Sequence, residues 1–253
     1  MSTRIIAALG LSLFMSLSAA PVMAEQSGGL AGLDCPSEPV RIVVLGDSLA
    51  DGLWGSFTRA FAACSGVSVE RRTTVSDGLV RSGPDTWLAR AAEGGPADLI
   101  VLQIGANDIT NLRSGTTRLV WGTDEWRAAY DARAEALATG LLDLADDVIW
   151  MGLPIVGRAQ FEEGYRVITG LQAAAAERAG ARFVDTHEPM TFGASEFVMS
   201  AQVEGRTRQI RNNDQVHFTQ LGYDLVAGLL RADVENVFQA RSREAALGGL
   251  VLQ

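Results

Sequence analysis

The sequence predicts an α/β fold, a three-layer α/β/α sandwich around a mainly parallel sheet of five strands. Short apolar segments recur along the chain and alternate with stretches that carry apolar residues at helical spacing. A parallel strand is buried on both faces, so it reads as a continuous apolar run instead of an alternating pattern. The length of 253 residues suffices for one large domain with a full core.

Each strand of the predicted sheet follows from an apolar run. The predicted strands span residues 41–45, 67–72, 98–105, 147–154 and 181–185. Helices are predicted over residues 49–63, 126–144 and 221–238, and a further helix face is marked by Phe161, Tyr165, Ile168 and Leu171. Residues 186–213 are less regular, and we expect a hairpin within 196–210 and a loosely packed tail after Arg241.

The start of the chain has the pattern of a targeting segment. Arg4 precedes an apolar stretch, and Val22 and Ala24 occupy the small-residue positions that a signal peptidase requires. We therefore expect a cleaved signal peptide over residues 1–24 and a mature protein, periplasmic or secreted, without stable membrane insertion. An uncleaved membrane anchor is the alternative. The remaining organisation is an extension over 25–39, one domain over 40–240 and a tail over 241–253.

The charge of the chain bounds its partners. The formal net charge is −9, and all 21 basic residues are arginine. An acidic chain without a basic run argues against nucleic acid or an anionic membrane surface as the main partner. No metal site is predicted, because His187 and His217 are far apart and neither has a close set of carboxylates around it.

The two cysteines gain a possible meaning from the predicted export. Cys35 precedes the first strand and Cys64 ends the helix after it, so the two side chains could meet at the starting edge of that strand. In an oxidising compartment they could form a disulfide, which would stabilise the fold by about 3 kcal/mol on the chain-entropy model. Two buried free thiols are the alternative.

The stretch VVLGDSLADG, residues 43–52, places Ser48 directly after the first strand. Ligands of parallel sheets bind outside the carboxyl ends of the strands, which makes this serine a candidate nucleophile. The same Gly-Asp-Ser turn would also suit an ordinary helix start, where Asp and Ser cap the first turn. Acyl transfer by serine further needs an imidazole, a carboxylate that orients it and donors for the oxyanion.

Residues of those types follow the other strands. His217 comes three residues after Asp214, a spacing that on a tight loop can bring the carboxylate to the imidazole ring. Asn107, in GANDI, follows the strand at 98–105, and Gly78 follows the second strand. The Asn107 amide and the backbone N–H groups of Gly78 and Ser48 are suitable oxyanion donors. This constellation favours the nucleophile over the cap as the role of Ser48.

The blocks GDS, an isolated Gly, GxND and DxxH, in this order, resemble the SGNH (GDSL-type) hydrolase superfamily. From about residue 40 to about residue 230 the chain is similar to an exported bacterial branch, the domain-of-unknown-function group DUF459. The segments that carry this likeness are DGLVRSGPDTW, TDEWRAAYDAR, VIWMGLP, FVDT and RNNDQVHFTQLGY. The resemblance implies a flavodoxin-like fold and a serine esterase that needs no cofactor.

Transferred to this sequence, the resemblance implies site residues one by one. It makes Ser48 the nucleophile, His217 the base and Asp214 the carboxylate that orients it. It makes Ser48, Gly78 and Asn107 the oxyanion hole. One position departs from the expected pattern, because Gln215 follows Asp214 where a glycine would be expected. A side chain there could shift the loop or narrow the site.

Three other polar residues near these blocks are given supporting roles. Asp47 is interpreted as a helix-capping or loop-bracing carboxylate, and Asp108 as a brace of its own turn. His187 also follows a strand, but no carboxylate precedes it at the spacing of Asp214. We therefore interpret His187 as a loop histidine.

Candidate substrate contacts are aromatic and basic. Trp54 and Trp121 follow the ends of strands that carry site residues and could line the site, although packing is the usual role of tryptophan. Arg211 belongs to a cluster with Arg206 and Arg208 just before Asp214, and it could bind an anionic or polyhydroxylated substrate. A solvated hairpin face is the alternative for this cluster.

The sequence thus predicts an exported serine ester hydrolase. The absence of a long exposed apolar lid in the sequence favours a short acyl group, such as acetyl on an envelope or extracellular polysaccharide. The same residues would serve an O-acyltransferase that passes the acyl group to a sugar hydroxyl. A non-catalytic carbohydrate-binding module on this fold is a further alternative.

Overall fold

The computed structural model describes residues 29–251, with side chains described for residues 29–247. The predicted signal peptide at 1–24 lies outside the described residues. The strands are β1 (Val40–Gly46), β2 (Val67–Thr73), β3 (Ala97–Gln103), β4 (Leu112–Ser114), β5 (Thr117–Leu119), β6 (Ala145–Met151), β7 (Arg182–Val184), β8 (Ser200–Val203) and β9 (Arg206–Gln209). The α-helices are α1 (Ser48–Ala60), α2 (Leu79–Ala92), α3 (Asp124–Leu142), α4 (Ala159–Ala179), α5 (Gln220–Gly228) and α6 (Arg231–Val251), and Pro189–Thr191 forms a 3₁₀ turn.

The central sheet has five strands in the order β2-β1-β3-β6-β7, and every neighbouring pair is parallel. Its strands coincide with the five apolar runs of the sequence, to within a few residues at each end. Because all five run in the same direction, their carboxyl ends meet at one edge of the sheet. The predicted fold class is therefore confirmed.

Successive residues of the strands point into two separate cores. Val43 and Leu45 of β1 pack with α2, α3 and α4 on one face, whereas Ile42 and Val44 pack with α1, α5 and α6 on the other. This alternation follows from the two-residue repeat of a strand, and helices cover both faces of the sheet. The result is the predicted three-layer sandwich.

Several elements differ from the prediction. Helix α2 was not predicted, because Gly83 adopts φ +69° and Pro84 follows it, so the helical apolar pattern is interrupted there. The predicted closing helix is two helices, and α6 extends into the predicted tail as far as Val251, with residues 243–247 exposed. A hairpin of β4 and β5 was missed, whereas the hairpin expected within 196–210 is present as β8 and β9.

A disulfide joins Cys35 to Cys64, with a Cα–Cα distance of 5.3 Å. It ties the segment before β1 to the turn that follows α1, at the amino end of the sheet and away from Ser48. Leu30 is buried in the α1, α5 and α6 core, so this segment packs on the domain. Within residues 29–251, no helix is both long enough and apolar enough to span a membrane.

Candidate active site

The carboxyl edge of the sheet brings together the polar residues that follow β1, β2 and β3. Ser48 is the first residue of α1, and only Asp47 separates it from the end of β1. Gly78 precedes α2, after β2, and Asn107 follows β3. The backbone connects these loops, because Thr74 N donates to Gly46 O over 2.9 Å and Asp47 N donates to Gln103 O over 3.1 Å.

Ser48, His217 and Asp214 form a chain of hydrogen bonds. His217 Nδ1 lies 2.8 Å from Asp214 Oδ2, and His217 Nε2 lies 2.8 Å from Ser48 Oγ. An ionised carboxylate can only accept, so Nδ1 carries the proton and Nε2 is left to accept the serine hydroxyl. The side chain of His217 is 33 % exposed, so the hydrogen-bonded chain from Ser48 to Asp214 reaches the protein surface.

The loop around Asp214 holds its carboxylate in place. Asp214 Oδ1 accepts the backbone N–H groups of Val216 and His217, each over 2.9 Å. Partial burial raises the pKa of Asp214, but these two hydrogen bonds and the contact with the imidazole outweigh it, and the pKa lies below its usual range. Asp214 is therefore ionised at neutral pH and can stabilise a protonated His217.

Asp47 caps α1 and braces a second loop, as interpreted from the sequence. Its Oδ1 accepts Leu49 N over 2.9 Å, and its Oδ2 accepts Gly105 N and Ala106 N over 3.0 and 2.9 Å. Burial raises the pKa of Asp47 to about 7, against the effect of these hydrogen bonds. Because Asp47 provides the cap, the Ser48 hydroxyl is free to contact His217.

The three predicted oxyanion donors lie on neighbouring loops, but they are not equally available. Ser48 N is in the first turn of α1, where the helix supplies no acceptor for an N–H group. Asn107 Nδ2 donates to Asp77 O over 2.9 Å, which occupies one of its two protons. Gly78 N donates to Asp77 Oδ1 over 2.8 Å, so this N–H must leave the carboxylate before it can bind an oxyanion.

The carboxylate of Asp108 has different partners from those expected. It accepts Leu79 N and Val80 N over 3.1 and 2.9 Å, so it caps α2 instead of bracing its own turn. The Tyr130 hydroxyl donates to its Oδ2 over 3.1 Å, and burial raises the pKa of Asp108 to about 6. A Cβ at position 78 would lie 2.1 Å from Asp108 Oδ1, which explains the need for Gly78.

His187 has a carboxylate partner that the sequence did not reveal. Its Nε2 contacts Glu162 Oε1, and Glu162 Oε2 accepts Val156 N over 3.0 Å. The sequence interpretation considered only carboxylates a few residues before His187, whereas Glu162 precedes it by 25 residues and lies on α4. No sequence pattern around Glu162 indicates this contact with His187.

The two candidate tryptophans pack against neighbouring elements. Trp54 Nε1 donates to Val69 O in the middle of β2, and Arg71 stacks over its ring at 5.2 Å. Trp121 packs edge-on against Trp126 with a centroid distance of 4.3 Å. Among the described residues, no hydrogen bond or ring contact joins either tryptophan to Ser48 or His217, and their assignment to the substrate stays a prediction.

The position of Arg211 differs from the one predicted for a substrate contact. Arg206 and Arg208 are exposed on β9, but Arg211 is fully buried. Its Nη1 donates to Val216 O over 2.9 Å and its Nη2 to Ile155 O over 2.7 Å. The expectation that Arg211 contacts substrate was therefore wrong, because its guanidinium bonds backbone carbonyls beneath the loop.

Gln215 explains why glycine was expected after Asp214. Its φ is +62°, in the left-handed region that glycine adopts without strain. The side chain does not displace the loop from Ser48, because the distance from His217 Nε2 to Ser48 Oγ is 2.8 Å. Within residues 29–251, no cluster of three or more His, Cys, Asp or Glu side chains is placed to hold a metal ion.

Solved structures share this fold. A lipase/acylhydrolase from Enterococcus faecalis superposes with a TM-score of 0.54 at 19% identity, covering 78% of this chain and 96% of its own. An acetyl xylan esterase from Geobacillus stearothermophilus superposes with a TM-score of 0.53 at 17% identity, covering 77% of this chain and 94% of its own. No curated protein shows significant sequence similarity to this chain.

The fold is thus that of the SGNH (GDSL-type) hydrolases, and a GDSL-like lipase from Bacteroides thetaiotaomicron also matches it, with a TM-score of 0.50 at 17% identity over 78% of this chain and 88% of its own. Residues 41–233 match the family described as a protein of unknown function, DUF459. The chain belongs to this family.

Proposed function

We propose that the protein is a serine ester hydrolase that acts through an acyl-enzyme. The observation that carries the proposal is the hydrogen-bonded chain Ser48–His217–Asp214, with two successive distances of 2.8 Å. Ser48 follows β1 at the carboxyl edge of a parallel sheet, and the candidate donors Gly78 and Asn107 follow β2 and β3. A nucleophile, a base, an orienting carboxylate and oxyanion donors are the groups that ester hydrolysis by serine needs.

The reaction follows from the placement of these groups. Ser48 Oγ attacks the ester carbonyl carbon while His217 Nε2 takes the hydroxyl proton, and Asp214 stabilises the imidazolium. The N–H of Ser48 and the Asn107 amide stabilise the oxyanion, joined by Gly78 N once it leaves Asp77. The protonated imidazole then gives its proton to the leaving alcohol, and an acyl-enzyme remains. Water, deprotonated by His217, releases the acid and restores Ser48.

We further propose an acetyl or similarly short acyl ester of a carbohydrate as substrate. Support comes from the printed name of one structural neighbour, an acetyl xylan esterase. Action in a periplasm or outside the cell belongs to the same proposal. The Cys35–Cys64 disulfide supports it, because such bonds persist in oxidising compartments. Residues 40–240 would form the hydrolase domain.

A serine-directed fluorophosphonate probe tests the nucleophile. We expect the probe to label wild-type protein at Ser48, which peptide mass spectrometry would locate, and Ser48→Ala to abolish labelling. Ser200→Ala, on the exposed part of β8, is the matched control and should react like wild type. Equal labelling of wild type and Ser48→Ala, or none in wild type, would refute the proposed nucleophile and favour a binding module.

Product analysis tests the substrate. Acetylated oligosaccharides should release acetate with wild-type protein and the Ser48→Ala variant should release none. Activity confined to long-chain acyl esters would contradict the short-chain proposal. Transfer of the acetyl group to an added sugar hydroxyl, without release of acetate, would instead identify an O-acyltransferase.

A further inference from the structure

The residues of the proposed base and its carboxylate lie on a loop without regular secondary structure, residues 211–218, here called the histidine loop. Its ends pair through the antiparallel bridge Arg211–Phe218. Asn212 N donates to His217 O over 2.8 Å, and Gln215 N donates to Asn212 O over 3.0 Å. These bonds shape the loop internally, but they do not fix its distance from Ser48 on α1.

Two contacts attach the histidine loop to the segment after β6. Gly157 N donates to Gln215 O over 3.1 Å, and Arg211 Nη2 donates to Ile155 O over 2.7 Å. Arg211 Nη1 bonds Val216 O over 2.9 Å, so one guanidinium joins Ile155 to the residue directly before His217. The guanidinium is planar and rigid, so its two Nη groups hold the carbonyl oxygens of Val216 and Ile155 at a set separation.

The segment after β6 that Arg211 contacts, residues 155–157, is also bonded to helix α4. Val156 N donates to Glu162 Oε2 over 3.0 Å, and Glu162 lies in the first turn of α4. Its carboxylate is in turn contacted by His187 and by Arg166. Glu162 on α4 thus holds the segment with Ile155 and Val156, and Arg211 joins that segment to the histidine loop.

The environment of Arg211 is unusual for an arginine. Its side chain is fully buried, and its guanidinium carbon lies 3.6 Å from the centroid of the Phe218 ring and 5.4 Å from that of Phe197. Burial lowers the pKa of Arg211 to about 9. A buried charge is costly unless hydrogen bonds satisfy it, and the carbonyl oxygens of Val216 and Ile155 supply two acceptors to this guanidinium. The burial of Arg211 is therefore tied to these two backbone groups.

We propose that Arg211 is a positioning residue that fixes the histidine loop so that His217 reaches Ser48. This inference rests on the proposed function for its effect on rate, but the loop geometry it predicts can be measured without substrate. A displacement of about 1 Å in a catalytic group lowers a rate by about 100-fold. Loss of the hydrogen bonds of Arg211 to Val216 O and Ile155 O should therefore lower kcat while KM changes little, because Arg211 does not touch the substrate.

Arg211→Met keeps an unbranched apolar stem, shorter than that of arginine, and removes every side-chain donor, and Arg208→Met, on exposed β9, is the matched control. With a short-chain nitrophenyl ester, we expect kcat of Arg211→Met to fall about 100-fold and KM to stay within about threefold. Arg208→Met should behave like wild type. Arg211→Lys, which can reach one carbonyl at a time, should lose about 10-fold and covers the case in which Arg211→Met does not fold.

Proton NMR supplies a readout that a merely structural role would not change. The Nδ1 proton of His217, bonded to Asp214, should give a low-field signal in wild type and in Arg208→Met. In a folded Arg211→Met or Arg211→Lys variant, well below its Tm, the signal should be lost or broadened, because Arg211 Nη1 also holds Val216 O, directly before His217, within the loop. An unchanged signal, or kcat of Arg211→Lys equal to wild type, would overturn the proposal. If wild type lacks esterase activity but the NMR contrast is found, the proposed function fails and the positioning role stands.

Discussion

At the scale of single residues, Gln215 shows strain within the histidine loop. Its φ of +62° is costly for a residue with a Cβ, by about 1–2 kcal/mol, whereas glycine adopts it freely. Glycine also loses more backbone entropy on folding, by roughly 0.5–1 kcal/mol. The loop therefore keeps a backbone conformation that Gln215 disfavours, and its hydrogen bonds to the segment after β6 account for this.

This balance leads to a prediction for Gln215→Gly. We expect the free energy of unfolding in urea to rise by about 0.5–1 kcal/mol, because the relief of strain exceeds the added entropy cost. Gln202→Gly, within β8, should instead lower it by a similar amount, because a strand residue gains nothing from glycine. A loss of stability in Gln215→Gly would contradict this account of the loop.

At the scale of elements, the start of α2 depends on a side chain from another loop. Gly78, the residue before α2, makes no side-chain cap, and Asp108 supplies one from the loop after β3. Tyr130 of α3 donates to the same carboxylate, and Gln172 Nε2 donates to the Tyr130 hydroxyl over 3.0 Å. A buried polar chain from α4 through α3 thus fixes α2, and with it the backbone of Gly78.

Tyr130→Phe tests this chain. Removal of a hydrogen bond to a buried carboxylate should lower the free energy of unfolding by about 1.5–3 kcal/mol, measured by urea denaturation. Tyr165→Phe is the matched control, because its hydroxyl donates only to Ala106 O over 3.3 Å and its loss should cost about 1 kcal/mol or less. Equal losses in the two variants would show that Asp108 does not depend on Tyr130.

The elements also show what the sequence can and cannot predict. The strands were predictable because a buried parallel strand is a local apolar run. The motifs GDS, GxND and DxxH predicted Ser48, Asn107 and His217 as site residues through a family resemblance. The pairing of His187 with Glu162 and the burial of Arg211 depend on contacts between distant segments. No local pattern encodes them, and the cluster of Arg206, Arg208 and Arg211 in the sequence suggested a substrate contact or a solvated hairpin face, whereas Arg211 is buried.

At the scale of the whole molecule, buried carboxylates shape the response to pH. The pKa values of Asp47 and Asp108 are raised by burial to about 7 and about 6, from 3.8. Between about pH 4 and about pH 7 the folded state therefore binds more protons than the unfolded chain, and the free energy of unfolding falls as the pH rises. Below about pH 4, the carboxylates with lowered pKa values, such as Asp214, reverse this trend.

We therefore expect the urea midpoint of unfolding to be higher at about pH 5 than at about pH 7.5. Asp47→Asn should show a smaller decline over this interval, because one of the two titrating groups is gone. Asp85→Asn, at an exposed position, is the control and should decline like wild type. A wild-type midpoint that increases toward pH 7.5 would contradict the prediction.

The division of the helices between the two faces of the sheet has a consequence for assembly. Helix α1, which begins with Ser48, packs on one face, and α2, which follows Gly78, packs on the other. A chain in which only one helical layer has docked would hold a serine without its neighbouring donors. The proposed activity would then appear only after both helical layers have docked, so that an incompletely folded molecule would be inactive.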